Sequence, residues 1–141
     1  MSEPRQFRVL FLCVGNSCRS QMAEGFARHR YPDLILPASA GVLPASIVQP
    51  ETIEVMAEVG ISIEEQMPKP IRDVDWKSTD LVVNMSGAGI LQMLPGYEGG
   101  NLIWPVPDPM GRSLRKYRRV RDQIEGLVDN LALSLRRQQA D

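Results

Sequence analysis

The sequence predicts an α/β fold built on a parallel sheet, and three observations predict it. First, "FRVLFLCV" (7–14) is a nearly continuous apolar run, as a strand buried on both faces would be. Second, strand-like and helix-like segments alternate along the chain, which is the pattern of right-handed β-α-β crossovers. Third, the first strand leads through a Gly-Asn turn directly into a helix start.

The elements follow in order. "CRSQMAEGFARHRY" (18–31) reads as a helix with Met22, Ala23 and Phe26 on its apolar stripe, ended by Tyr31-Pro32. "LILPASAGV" (34–42) is a weaker strand, and Pro37 argues for an edge position. "PETIEVMAEVG" (50–60) is a helix with Pro50 in its first turn and Gly60 as its stop. "DLVVNM" (80–85) is a third strand, "GAGILQML" (87–94) a short helix and "NLIWPV" (101–106) a fourth strand. Ser113 caps a final helix to about residue 138, in which Tyr117, Val120, Ile124, Leu127, Val128, Leu131 and Leu135 keep helical spacing. Residues 43–49 and 64–78 read as surface loops, and Ser86–Gly89 as a flexible one.

The composition narrows the classes of function. At 141 residues, with 43% hydrophobic and 23% charged side chains, the chain suits one packed domain, 1–141. A net charge of −1 gives no overall pull towards nucleic acid or an anionic membrane. No apolar run approaches the roughly 20 residues of a membrane span, and "MSEPRQFRV" carries no signal-peptide pattern, so the expected location is cytoplasmic. Two cysteines and one histidine cannot supply the four N/S ligands of a structural zinc site, so no metal is expected.

In an open parallel sheet the ligand site lies beyond the carboxyl ends of the strands. Both cysteines fall in the loop at that edge, "CVGNSCRS". Backbone N–H groups at a helix N-terminus lack intrahelical partners and favour negative charge. The loop Val14, Gly15, Asn16, Ser17, Cys18, Arg19 and Ser20 therefore reads as a phosphate-binding cradle. Gly15 lets the chain fold tightly and Asn16 tolerates a left-handed turn. Cys13 sits at the base as a nucleophile, favoured as thiolate by the same field and by a hydrogen bond from Ser20. Arg19 returns over the rim to hold two oxyanion oxygens. Asp108 in "VPDPMG", on the same edge, is the candidate general acid, its loop stiffened by Pro107 and Pro109. Arginine and amides do the charge work, so no organic cofactor is implied.

"VLFLCVGNSCRSQMAEG", "SAG" and the Asp-Pro after the fourth strand resemble the low-molecular-weight protein tyrosine phosphatase superfamily. "GNSCRSQMAEGFARH", "TIEVMAEVGI", "PKPI" and "WPVPDP" are closest in wording to its thioredoxin-coupled arsenate reductase branch. The resemblance implies a three-layer fold with a four-stranded parallel sheet flanked by helices. It implies Cys13 as nucleophile, Arg19 as oxyanion binder, Asp108 as general acid, and Asn16, Ser20 and Ser39 as loop braces. It also leaves Cys18 open between a redox partner for Cys13 and a buried packing residue. Two departures stand out. The reductase branch carries two further cysteines after the third strand, whereas here Ser86 stands at the first and there is no second. Tyrosine phosphatases place aromatic residues after the Asp-Pro, whereas Met110-Gly111 follow here.

The leading expectation is a phosphomonoesterase, by default a protein-tyrosine phosphatase, working through a phosphocysteine on Cys13. The alternative is an arsenate reductase using Cys13 with Cys18 or an external thiol, such as glutathione with glutaredoxin, or thioredoxin. A binding module that kept the fold and lost turnover is third. The expected ligands are phosphate, arsenate or another tetrahedral oxyanion, with a phosphorylated protein or small phosphomonoester as substrate; no nucleic acid and no membrane is expected. The basic run "RSLRKYRRVR" (112–121) reads as a solvated helix face in preference to a docking patch, His29 as a surface residue, Trp104 as core, and Trp76 as a rim candidate.

Overall fold

In a computed structural model, which describes residues 5–140, the chain runs β1 (Phe7–Cys13), α1 (Arg19–Arg30), β2 (Ile35–Gly41), α2 (Pro50–Glu58), β3 (Leu81–Asn84), α3 (Ile90–Met93), β4 (Gly100–Ile103) and α4 (Leu114–Ala140). All strand pairings are parallel, in the order β2-β1-β3-β4. The continuous apolar run is thus a central strand and the proline-bearing β2 an edge strand, as read from the sequence. Residues 1–4, the start of the polar N-terminus, lie outside the described segment. No helix of the described residues is long and apolar enough to cross a membrane.

β1 is buried on both faces because each meets a separate core. Phe7, Val9 and Phe11 join Met22, Phe26, Val55, Tyr117 and Ile124 beneath α1, α2 and α4. Leu10 and Leu12 turn the other way, onto Val82, Leu94 and Tyr97. Trp76 belongs to that second cluster, its ring 6.5 Å from Tyr97. Tyr97 is tied to Thr79 and Gly100, at the amino ends of β3 and β4, so Trp76 is not a rim residue. Trp104 is core, 5.9 Å from Phe11.

Two boundaries differ from the sequence reading for local reasons. β4 stops at Ile103 because Pro105 and Pro107 supply no N–H to continue the ladder. The helix expected over 87–94 shrinks to Ile90–Met93 because Gly87 takes φ +83° and Asn84 fastens the turn before it. Asn84 accepts from the Ser86 amide and hydroxyl and donates to the Ala88 carbonyl, so Ser86–Gly89 is pinned rather than flexible. Ser113 caps α4 as expected, accepting from the Lys116 amide.

The end of α1 is fastened to α4 by the Tyr31 hydroxyl, which donates to Asp129 at 2.5 Å. Burial first, then this carboxylate, push the Tyr31 hydroxyl from 10.0 up to about 12. The folded state therefore favours the neutral phenol. Its contribution is complete below 10.0 and is lost as pH climbs through about 12. Thermal denaturation across that window should show the advantage of wild type over Tyr31→Phe shrinking with rising pH.

Candidate active site

The cradle is built by the direction of its peptide groups. Every carbonyl from Cys13 to Cys18 is held by a donor outside the loop's interior. Val42 N–H donates to Cys13, Leu43 to Val14, Ala45 to Gly15, Gln49 to Ser17 and Met22 to Cys18, at 2.9–3.2 Å. The Gln21 side chain donates to Asn16 at 2.9 Å. With the carbonyls turned out, the amides of residues 14–18 are left without a protein acceptor among the described residues. Asn16 and Ser17 are nonetheless buried. A row of unpaired amides at a helix start is a site for an anion.

Residues 43–49, read from sequence as a surface loop, are therefore the outer clamp of the cradle. Residues 66–70 form a second clamp: Lys69 N–H donates to Asn16 Oδ1 at 2.8 Å, and the Gln66 side chain donates to Gln21. Neither was legible in the sequence, because both bind through backbone groups or through glutamines that no motif marks. Two clefts, of about 550 and 720 Å³, lie away from the cradle, along β1–β2 and beside Glu24 and Lys69.

The left-handed residue of the turn is Asn16, at φ 50°. Gly15 is not the glycine that the turn most needs: a Cβ there would come within 3.3 Å of Ser17 Oγ and no closer than 3.9 Å to Ala45 and Leu43. Gly41, at the end of β2, is. A Cβ at Gly41 would lie 2.7 Å from the Val14 carbonyl oxygen and 3.0 Å from the Asn16 nitrogen. Gly41→Ala should shift the loop, weakening oxyanion binding and costing about 1–3 kcal/mol of stability. Thermal denaturation with and without phosphate measures both.

Cys13 and Ser20 meet at 2.9 Å between Sγ and Oγ. Asn16 Nδ2 donates to the same Ser20 oxygen at 2.7 Å, which leaves the Ser20 proton free to be given to a Cys13 thiolate. Asn16 and Ser20 thus tie the start of the loop to the start of α1. Ser39 does not: its hydroxyl donates to Glu24, a buried α1 carboxylate that also holds Arg28 and has Lys69 Nζ at 3.9 Å. Ser39 fastens β2 to α1, one layer behind the cradle.

Arg19 is buried, and its Nη1 donates to the carbonyls of Met85 at 2.7 Å and Val106 at 3.0 Å. Two of the five guanidinium protons are spent fixing the side chain across the ends of β3 and β4; those on Nε and Nη2 remain. Asp108 Oδ2 lies 3.8 Å from Nη2, half exposed, while Oδ1 accepts from the Met110 amide at 3.0 Å. Cys13, Arg19 and Asp108, 95 residues from first to last, are thus gathered on one sheet edge.

Both cysteines are free thiols. Cys18 is buried, with Ser17 Oγ at 3.8 Å and Tyr117 Oη at 3.9 Å. Burial pushes its thiol upward, outweighing the hydrogen bonds from Thr52, Ser17 and Tyr117 that act the other way. Burial, then the neighbouring sulfur, raise the Tyr117 hydroxyl as well. Both groups are neutral near pH 7, and a neutral thiol is a poor nucleophile.

The model of the low-molecular-weight phosphotyrosine protein phosphatase family matches residues 8–141. The chain belongs to this family. The chain is 40% identical over 126 residues to a glutaredoxin arsenate reductase of Synechocystis, covering 88% of this chain and 95% of that one. A solved arsenate reductase in a phosphate-binding state superimposes with a TM-score of 0.83 at 37% identity, covering 92% of this chain and 99% of the other. An arginine phosphatase from Geobacillus stearothermophilus gives 0.84 at 27% identity, covering 95% and 96%. The phosphatase-like fold, the four-stranded parallel sheet and the nearness to the reductase branch stand as read from the sequence. A preference for phosphotyrosine is not what the relatives favour.

Proposed function

We propose that this chain is a cysteine-dependent arsenate reductase supplied with electrons by an external thiol. The observation that supports it most is the cradle itself, with unpaired amides and the free Nε and Nη2 of Arg19 around Cys13. The reductase names of the most similar relatives favour arsenate as its guest. This reverses the order of the two expectations drawn from the sequence.

In this reading Cys13 attacks arsenic, and an arsenate oxygen departs as water with a proton from Asp108. Arg19 and the loop amides hold the remaining oxygens. A thiolate from outside then attacks Cys13 Sγ. The electron pair of the sulfur–arsenic bond stays with arsenic, which leaves as arsenite, and Cys13 is held in a mixed disulfide. A second thiol attacks the donor's sulfur and releases Cys13, so two thiols are oxidised to one disulfide per arsenate reduced. The donor is external because the chain has only two cysteines and the Cys18 thiol is neutral and buried. A reducing cytoplasm suits both free thiols.

Phosphomonoester hydrolysis is the second reading, and Asp108 favours it. In its acid form the half-exposed Asp108 side chain beside Arg19 can give its proton to a departing alkoxide or phenolate. The deciding experiment measures arsenate-dependent thiol oxidation, with dithiothreitol, glutathione–glutaredoxin and thioredoxin in turn, beside phosphate release from an aryl phosphate and a phosphotyrosine peptide. Arsenate-dependent oxidation is expected; phosphate release alone would replace the reductase reading with the hydrolase. Asp108→Asn should slow aryl phosphate hydrolysis by about 10²–10⁴-fold. It should slow arsenate reduction much less, because the departing arsenate hydroxyl already carries one proton.

A further inference from the structure

We propose that the start of α4 is a docking surface for the acidic face of a protein thiol carrier, the electron donor of the reductase reading on which this inference rests. The run 112–121 holds six cations. The structure divides them. Arg118 and Arg121 are absorbed by Glu58 of α2, at 2.8 and 2.7 Å. Arg112, Arg115, Lys116 and Arg119 make no ion pair among the described residues. The acids that follow in sequence do not neutralise them. Asp122 pairs with Arg121, Glu125 with Arg30, and Asp129 accepts from Tyr31.

Folding gives no reason for this arrangement. Tyr117, Val120 and Ile124 face the core, which puts Arg115 and Arg119 on the outward side of the helix and leaves Lys116 half-buried at its flank. Arg115 and Arg119 stand four apart, a like-charge spacing that weakens a helix. The cations also crowd a helix N-terminus, where the dipole prefers acids, and the first turn of α4 contains none. Local rules broken together, without a compensating contact, mark a surface kept for a partner.

Its place fits the donor. The strip begins where the Asp108 loop ends: the Arg112 amide donates to the Pro109 carbonyl at 2.8 Å, and exposed Met110 lies between Asp108 and the strip. Tyr117, from the same turns, reaches Cys18 of the cradle. A partner seated here stands beside the mouth over Cys13. Inorganic arsenate needs no such surface, so the partner is the other reactant. A strip of roughly 10 Å suits a protein face better than a small thiol. The carrier's thiolate enters the disulfide exchange described above, and its second thiol closes the carrier disulfide and frees Cys13.

The test compares wild type, R115E/R119E, and a control of equal charge change, R72E/R137E, with reduced thioredoxin or glutaredoxin as donor and with dithiothreitol. The strip variant should raise KM for a carrier roughly tenfold at low salt, and added salt should erase the difference. The arsenate KM and the dithiothreitol-driven rate should not move, which also shows that the variant is folded. Equal carrier KM in all three proteins overturns the docking surface and leaves the reductase reading intact. An effect confined to hydrolysis of an acidic phosphopeptide assigns the strip to a substrate and overturns the carrier. No arsenate-dependent oxidation with any donor, dithiothreitol included, overturns both readings.

Discussion

Cys13→Ser should remove turnover on every oxyanion substrate, by roughly 10⁴-fold or more. Both chemistries start with attack by this sulfur, so one substitution stops reduction and hydrolysis alike. A hydroxyl cannot replace it. Its proton would have to leave for a base, and the group within reach of Cys13, the Ser20 hydroxyl, already accepts from Asn16 and is set to donate. The cradle itself should survive, because its carbonyls are fastened by residues 42–52, Gln21 and Met22, none of which depends on the sulfur. Phosphate should therefore still raise the melting temperature of the variant. Turnover that persisted would place the nucleophile elsewhere. Loss of both turnover and phosphate protection would point to a collapsed loop and call for Cys13→Ala as a second variant.

Arg19→Lys should lower kcat/KM by about 10²–10³-fold while preserving the positive charge. The guanidinium does two jobs that an ammonium cannot combine. Nη1 bridges the Met85 and Val106 carbonyls, and Nε and Nη2 remain for the anion. A lysine satisfies one set or the other. The carbonyl left without its donor should cost about 1–3 kcal/mol of stability. The diagnostic result is a fall in kcat together with a lower melting temperature. A variant that turned over like wild type would exclude the planar, two-sided contact as the source of oxyanion stabilisation.

How much of this was legible in advance depends on the range over which each signal acts. The anion loop could be read because its parts are contiguous: a strand end, a turn residue able to adopt the left-handed region, and a helix start. Asn16 at φ 50° and the Cys13–Ser20 contact are local consequences of the eight residues 13–20. Ser39 and Gly41 show the limit. Both belong to one short motif, yet the serine turned out to face Glu24 and the glycine to carry the close approach to Val14 and Asn16. Which of two neighbours meets the loop depends on strand register, and periodicity alone does not set the register of β2 against β1.

The sequence by itself determined the α/β class, the edge position of β2, the buried character of β1 and the place of the loop at a helix start. These follow from apolar periodicity, proline's missing N–H and the unpaired amides of a helix start, all of which act over a few residues. Only the tertiary structure decided that residues 42–52 and 66–70 clamp the loop, that Ser39 serves the layer behind it, and that the Cys18 thiol is buried against Tyr117. The same holds for the six basic residues, of which Glu58 takes two and leaves four without an ion pair among the described residues. The physical reason is the same in each case. A hydrogen bond or ion pair between segments tens of residues apart exists only once the sheet has brought them together, and a charge carries no mark in the sequence of the partner it will find.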